Sequence, residues 1–323
     1  MLFSLLIFGA AASCGASGNA TKSGETASAD TKTESAAPVF DADSAYAYVK
    51  KQVDFGPRVP NTEAHRRAAD WMAAELRRRG ADVTEQKMQL RAFDGTMLDA
   101  RNIFAQFNPE AGERVLLLAH YDCRPWADED PDPTKHRQPV DGANDGASGV
   151  GVLLEIARLI SQSETAPAYG VDILFLDAED WGNHNDDESW AMGAKYFARN
   201  PVVEGYSPSR AILLDMVGSK DATFYKEYFS EEAAPDLNRE IWSIAADAGY
   251  DHLFKARIGS AVTDDHRALI DVGIPAIDII DYRMDASGGG FDPVWHTTSD
   301  TMANISPATL GAVGQTLARY LWK

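Results

Sequence analysis

Two hydrophobic rhythms alternate along the chain. Between residues 61 and 79, Ala64, Ala68, Met72 and Leu76 recur at helical spacing and Gly80 follows, predicting an amphipathic helix with a glycine stop. Short apolar runs rich in branched residues stand at 114–119 (RVLLLA), 171–176 (VDILFL), 210–214 (RAILL) and 275–280 (PAIDII). Runs this short and this apolar predict strands of a sheet covered on both faces. Helical candidates fall between them at 147–161, 188–199 and 232–248, and Ser306-Pro307 reads as the N-cap and first residue of a last helix. Strands alternating with helices predict an α/β domain with a mostly parallel sheet, whose ligands gather beyond the carboxyl ends of the strands.

The first residues follow another pattern. Residues 1–13 are apolar and end in small residues before Cys14, as in a bacterial lipoprotein export signal. The expectation is an exported chain, periplasmic or held on the inner or outer membrane by a lipid anchor at Cys14; the alternative is an ordinary cleaved signal peptide. Residues 15–38 contain no aromatic or large aliphatic side chain, so they are expected to be a flexible linker, with one catalytic domain over 39–323. No run of about twenty apolar residues interrupts that domain, so no spanning helix is expected there. With 30 basic and 49 acidic residues the net charge is −19. Such a surface repels phosphate backbones and excludes nucleic acid as a partner. Two cysteines, Cys14 and Cys123, are too few for a disulfide framework or a thiolate zinc site.

Polar residues test the strand-end expectation. His120, Tyr121 and Asp122 follow the first apolar run; Asp177, Glu179 and Asp180 follow the second; Asp215 follows the third; Asp281 and Tyr282 follow the fourth. Carboxylates gathered at one sheet edge repel one another unless a cation or shared protons relieve them. The glycine-rich turn at 142–149 carries Asp145, which opposes a phosphate cradle and favours a metal. Oxygen and imidazole donors suit catalytic zinc, with Asp145, Asp180 and His296 as ligands and His120 and Asp215 as possible additions. Neighbouring residues on an extended backbone point opposite ways, so Asp180 can bind metal while Glu179 faces substrate as general acid/base. His65, His136, His184 and His252 are expected to play no metal role, and the acidic stretch 128–133 reads as a solvated loop, although its place after His120 and Trp126 suggests an entrance rim.

The segments His120-Tyr-Asp-Cys-Arg-Pro125, Gly142–Gly149, Asp177-Ala-Glu-Asp180, Leu214–Gly218, Asp264-Asp-His266 and Val294-Trp-His-Thr297 stand in the order of the zinc aminopeptidase superfamily. Over residues 40–323 the chain most resembles bacterial glutaminyl-peptide cyclotransferases, the run Phe291–His296 with Asp264–His266 pointing to that branch. The resemblance implies a central mixed sheet flanked by helices on both faces. It also implies one zinc held by Asp145, Asp180 and His296, with Glu179 as the catalytic acid/base. Asp215 and Asp264 would complete an acid network around that glutamate, and Trp295 and Phe291 would line the substrate pocket. Substrates would be peptides or proteins with N-terminal glutamine. A second pocket tryptophan of the animal enzymes falls where Trp181 and Trp190 both lie, with Trp190 the candidate. Asp180 stands where the animal enzymes carry Glu, a change shared with many aminopeptidases, and Asp278 stands where they carry His, so the outer part of the acid network must differ. A cis Asp145–Gly146 bond is also implied. The alternative reading is a two-metal aminopeptidase in which His120 and Asp215 complete the second site.

Overall fold

The computed structural model describes residues 37–284 and 289–323; the expected export signal and nearly all of the linker lie outside them. Two helices open the domain, α1 (Ala42–Val53) and α2 (Glu63–Arg78). Thr62 caps α2 by accepting from the His65 N–H, and Gly80 ends it at φ +85. The main sheet contains β1 (Asp82–Arg91), β2 (Met97–Phe107), β3 (Arg114–His120), β4 (Gly170–Leu176), β5 (Arg210–Asp215) and β8 (Ala276–Ile280). Its spatial order is β1-β2-β4-β3-β5-β8. β1, β2 and β4 pair antiparallel, whereas β4, β3, β5 and β8 run parallel, so the sheet is mixed. A small parallel pair, β6 (Phe224–Lys226) and β7 (Phe254–Ile258), stands apart.

Period-two alternation divides each central strand between two cores. Val115, Leu117 and Ala119 of β3, with Ile212 and Leu214 of β5, face a large core packed by α1, α2, α3 (Ala147–Gln162), α6 (Pro235–Asp247) and α8 (Pro307–Leu321). Leu116, Leu118, Leu174 and Leu213 face the opposite layer with α4 (Met192–Arg199) and α7 (Asp265–Asp271). Each buried leucine contributes roughly 1.5–3 kcal/mol by leaving water. Helix α3 lies unusually close to β5: a Cβ on Gly149 would collide with the Leu214 carbonyl. That close approach brings Asp145, just ahead of α3, up against the strand ends.

The four predicted strands and the helices over 61–79, 147–161 and 306 onward are present. The helix predicted over 188–199 starts only at Met192, because Ala191 adopts φ 54 and the preceding residues form a 3-10 turn. The helix predicted over 232–248 is two helices, α5 (Tyr228–Ala233) and α6, broken where Pro235 cannot donate to the preceding turn. Among the described residues, no helix is long and apolar enough to cross a membrane.

Candidate active site

The parallel strands β3, β4 and β5 end side by side, each leading into a turn with ionisable groups. These turns are tight. Ala178 after β4 and Met216 after β5 sit in the left-handed region at φ 55 and 48, as does His296, in the loop between β8 and α8, at φ 53. For residues with a Cβ that conformation costs about 1–2 kcal/mol each, so surrounding bonds must hold it. Asp122 supplies two of them, accepting from the Glu179 and Asp180 N–H groups at 3.1 Å. Asp300 accepts from the N–H groups of Asn144 and Asp145 at 2.8 and 3.0 Å. The Asp145–Gly146 bond is trans, correcting the cis expectation; Gly146 at φ +88 turns the chain into α3.

Asp145, Asp180 and His296 converge, with one donor atom from each lying within 4.8 Å of the others. His296 Nε2 is 3.0 Å from Asp180 Oδ1 and 3.6 Å from Asp145 Oδ2. Burial pushes the His296 imidazole down to about 3, so it is neutral and presents a lone pair. Burial and the Asp145 charge push the Asp180 carboxyl well above its usual range, and neither of its buried oxygens has a hydrogen-bond partner. A neutral imidazole and two crowded carboxylates without enough donors form a site that a divalent cation completes. Three such ligands fit zinc with an open position.

A second group shares Asp145. His120 Nε2 lies 3.0 Å from Asp145 Oδ1 and 3.2 Å from Asp215 Oδ1. Burial opposes charging His120, but hydrogen bonds with Asp122, Asp145 and Asp215 outweigh it and raise its pKa well above the usual range. The resulting imidazolium lowers Asp145 against the effect of burial. Asp215 is pushed up to about 7 by burial, with His120 opposing and Asp264 adding to the rise.

Glu179 belongs to neither group of donors and faces the cavity beside both. Its carboxyl is raised well above the usual range by burial, His120 opposing and Asp264, Asp180 and Asp265 adding repulsion. Asp264, the N-cap of α7, is also raised by burial. Asp278 closes the outer network: burial and the Asp264 and Asp215 charges raise its pKa well above the usual range, and His266 Nδ1 stands 3.8 Å away.

Asp145, Glu179, Asp215, Asp264 and His296 line a cavity of about 320 Å³ with an aromatic wall. Phe291 and Trp295 pack 4.5 Å apart, and Trp190 stacks on His296 at 5.9 Å and 20°. Trp190, not Trp181 or Trp126, lines the cavity: Trp181 donates to Asp94 and packs on Trp126 at 5.6 Å. Sequence reasoning missed His184, which lies on the cavity wall beside Trp190 and Trp295. It also passed over Asp128 and Arg124, which lie behind the donors. His65 is a buried partner of Asp177, at 2.8 Å.

The model of Peptidase family M28 matches residues 102–321. A glutaminyl cyclase of Bacteroides thetaiotaomicron, crystallised with N-acetylhistamine, is 49% identical over 89% of this chain and 99% of its own, with TM-score 0.85. A Zn-dependent exopeptidase of Parabacteroides distasonis is 51% identical over 89% of this chain and 100% of its own, also with TM-score 0.85. The bovine glutaminyl-peptide cyclotransferase-like protein is 25% identical over 245 residues, 69% of this chain but only 60% of that protein's length. With its strand-end donors and a family match that runs from β2 to the end of α8, this chain belongs to peptidase family M28.

Proposed function

We propose that this protein is a zinc-dependent glutaminyl-peptide cyclotransferase, converting the N-terminal glutamine of peptides or proteins to pyroglutamate with release of ammonia. One observation carries the reading: Glu179 is buried at the cavity, outside the donor set, with its pKa raised among acids that can share its proton. When bound, zinc supplies Lewis acidity at the substrate's side-chain carbonyl. Glu179 takes a proton from the α-amine as its nitrogen bonds to the side-chain amide carbon. The bond from that carbon to the amide nitrogen then breaks, and Glu179 returns the proton to the departing ammonia. Proton count is unchanged across the cycle. Burial and the charge of Asp264 keep the glutamate's proton affinity high, and Asp264 also raises Asp215 in the same acid network, while Trp190, Phe291 and Trp295 hold the glutamine stem and exclude water. Nucleophile and electrophile already share one molecule, so fixing the conformer is much of the task.

One zinc per chain is part of this proposal, supported by the raised pKa of His120 between Asp145 and Asp215, which favours a proton over a second cation there. The second reading, a two-metal aminopeptidase, draws on the same three residues, whose donor atoms also lie within 4.8 Å of one another. Ammonia release from a glutamine-initiated peptide, lost on chelation and restored by zinc, is the expected result. Release of free amino acids by protein carrying two zincs would overturn it in favour of the aminopeptidase. Export with a lipid on Cys14 is part of the same proposal, resting on the apolar run 1–13; the mass of the mature amino-terminal peptide tests it.

A further inference from the structure

His296 presents Nε2 to the metal donors, but its other ring nitrogen is unexplained. Nδ1 is buried and has no hydrogen-bond partner. Metal-bound histidines almost always donate this second N–H to a carboxylate, carbonyl or water, which fixes the tautomer and the ring plane. The carboxylate facing it is Asp128, with Oδ1 at 3.7 Å.

Asp128 is held firmly. Arg124 donates to both of its oxygens, from Nε at 3.1 Å and from a terminal nitrogen at 2.5 Å. Trp126 Nε1 and His184 Nε2 reach Oδ2 at 3.2 and 3.1 Å. Burial raises the Asp128 pKa, but the Arg124 bonds outweigh it, so the group stays ionised.

Arg124 also reaches the other donors. Fully buried, it donates to the carbonyls of Asp180 and Gly182 at 3.0 and 2.8 Å. Its guanidinium lies 4.8 Å from the Trp190 ring, the same indole that stacks on His296. A Cβ at Gly182 would collide with that indole, so glycine is required there. The acidic stretch is solvent-exposed at Glu129 and over 131–133, as predicted, yet it also straps the His296 turn: the Glu129 N–H donates to the His296 carbonyl at 3.2 Å, and buried Asp130 accepts from Thr298.

We propose that Asp128 is the positioning residue of His296, accepting its Nδ1–H and turning Nε2 toward the metal, with Arg124 clamping Asp128 and the Asp180 backbone in one unit. The inference rests on the metal reading of the site and not on which reaction follows.

The test is zinc affinity, measured by competition with a chromogenic chelator on the full-length protein and on the Asp128→Ala and Asp128→Asn variants. Asp128→Ala should bind zinc ten- to a hundredfold more weakly than wild type, and its metal-free melting temperature should also fall because buried Arg124 loses its carboxylate. Asp128→Asn, which keeps the shape, should also weaken binding and should lose the downfield Nδ1 proton resonance of His296 in the zinc-loaded protein. If Asp128→Ala does not fold, Asp128→Asn decides. Zinc affinity within twofold of wild type in the folded variant, or an unchanged Nδ1 resonance in Asp128→Asn, overturns the proposal. Absence of ammonia release from wild type would sink the cyclase reading and leave this titration readable.

Discussion

Two groups of donors share Asp145 and differ in their histidine. His296, beside Asp180, is driven to the neutral form by burial; His120, beside Asp215, is charged because three carboxylates surround it. The first group lacks positive charge and calls for a metal, whereas the second carries its own. In the metal-free protein the contrast favours the first group as the cation site, since local charge decides which site a cation stabilises.

Breaking the first group should have the largest effect. His296→Ala should weaken zinc binding on the order of a hundredfold or more, exceeding the loss typical of an outer partner. His120→Gln should leave metal content at one zinc per chain; a fall from two to one by elemental analysis would show that both groups bind metal. Glu179→Gln should reduce turnover by ~10²–10⁴-fold while zinc content stays whole, the range expected for a lost acid/base. Metal loss in that variant would make Glu179 a ligand instead. Trp295→Ala should raise KM about tenfold with little change in zinc content, since an indole contributes contact area and no donor atom.

The smallest effect concerns pH. Asp215 and Asp300 are raised to about 7 and about 8, mainly by burial. Between the unfolded carboxyl range and those values the metal-free native state holds more protons than the unfolded state. Its stability should therefore be greatest near pH 4 with respect to these groups and decline as pH rises to about 8. Zinc loading should oppose that decline through its bond to Asp145; melting temperatures with and without metal check it. A metal-free stability that climbs over this window would contradict the buried-acid account.

The central strands were legible because both their faces are buried, as Leu117 and Leu118 illustrate by facing different cores. β1 was not. Its Thr84, Glu85, Gln86 and Lys87 are polar, and an edge strand owes its place to hydrogen bonding with β2 rather than to apolar content. Asp145, Asp180 and Glu179 stood out because strand ends and helix starts are local features. Arg124, Asp128 and His184 did not, because what they touch depends on how long loops fold back over the turn at His296, and no periodicity records that.

The positive-φ turns at the ends of β4 and β5 have a consequence for variation. At Ala178 and Met216 the backbone already occupies a region that branched side chains resist. Saturation libraries at these two sites should therefore recover glycine, asparagine and aspartate, and reject valine, isoleucine and threonine, whatever the selection imposed on substrate. The active centre is in this sense guarded by stereochemistry both behind its wall, at Ala178, and on it, at Met216.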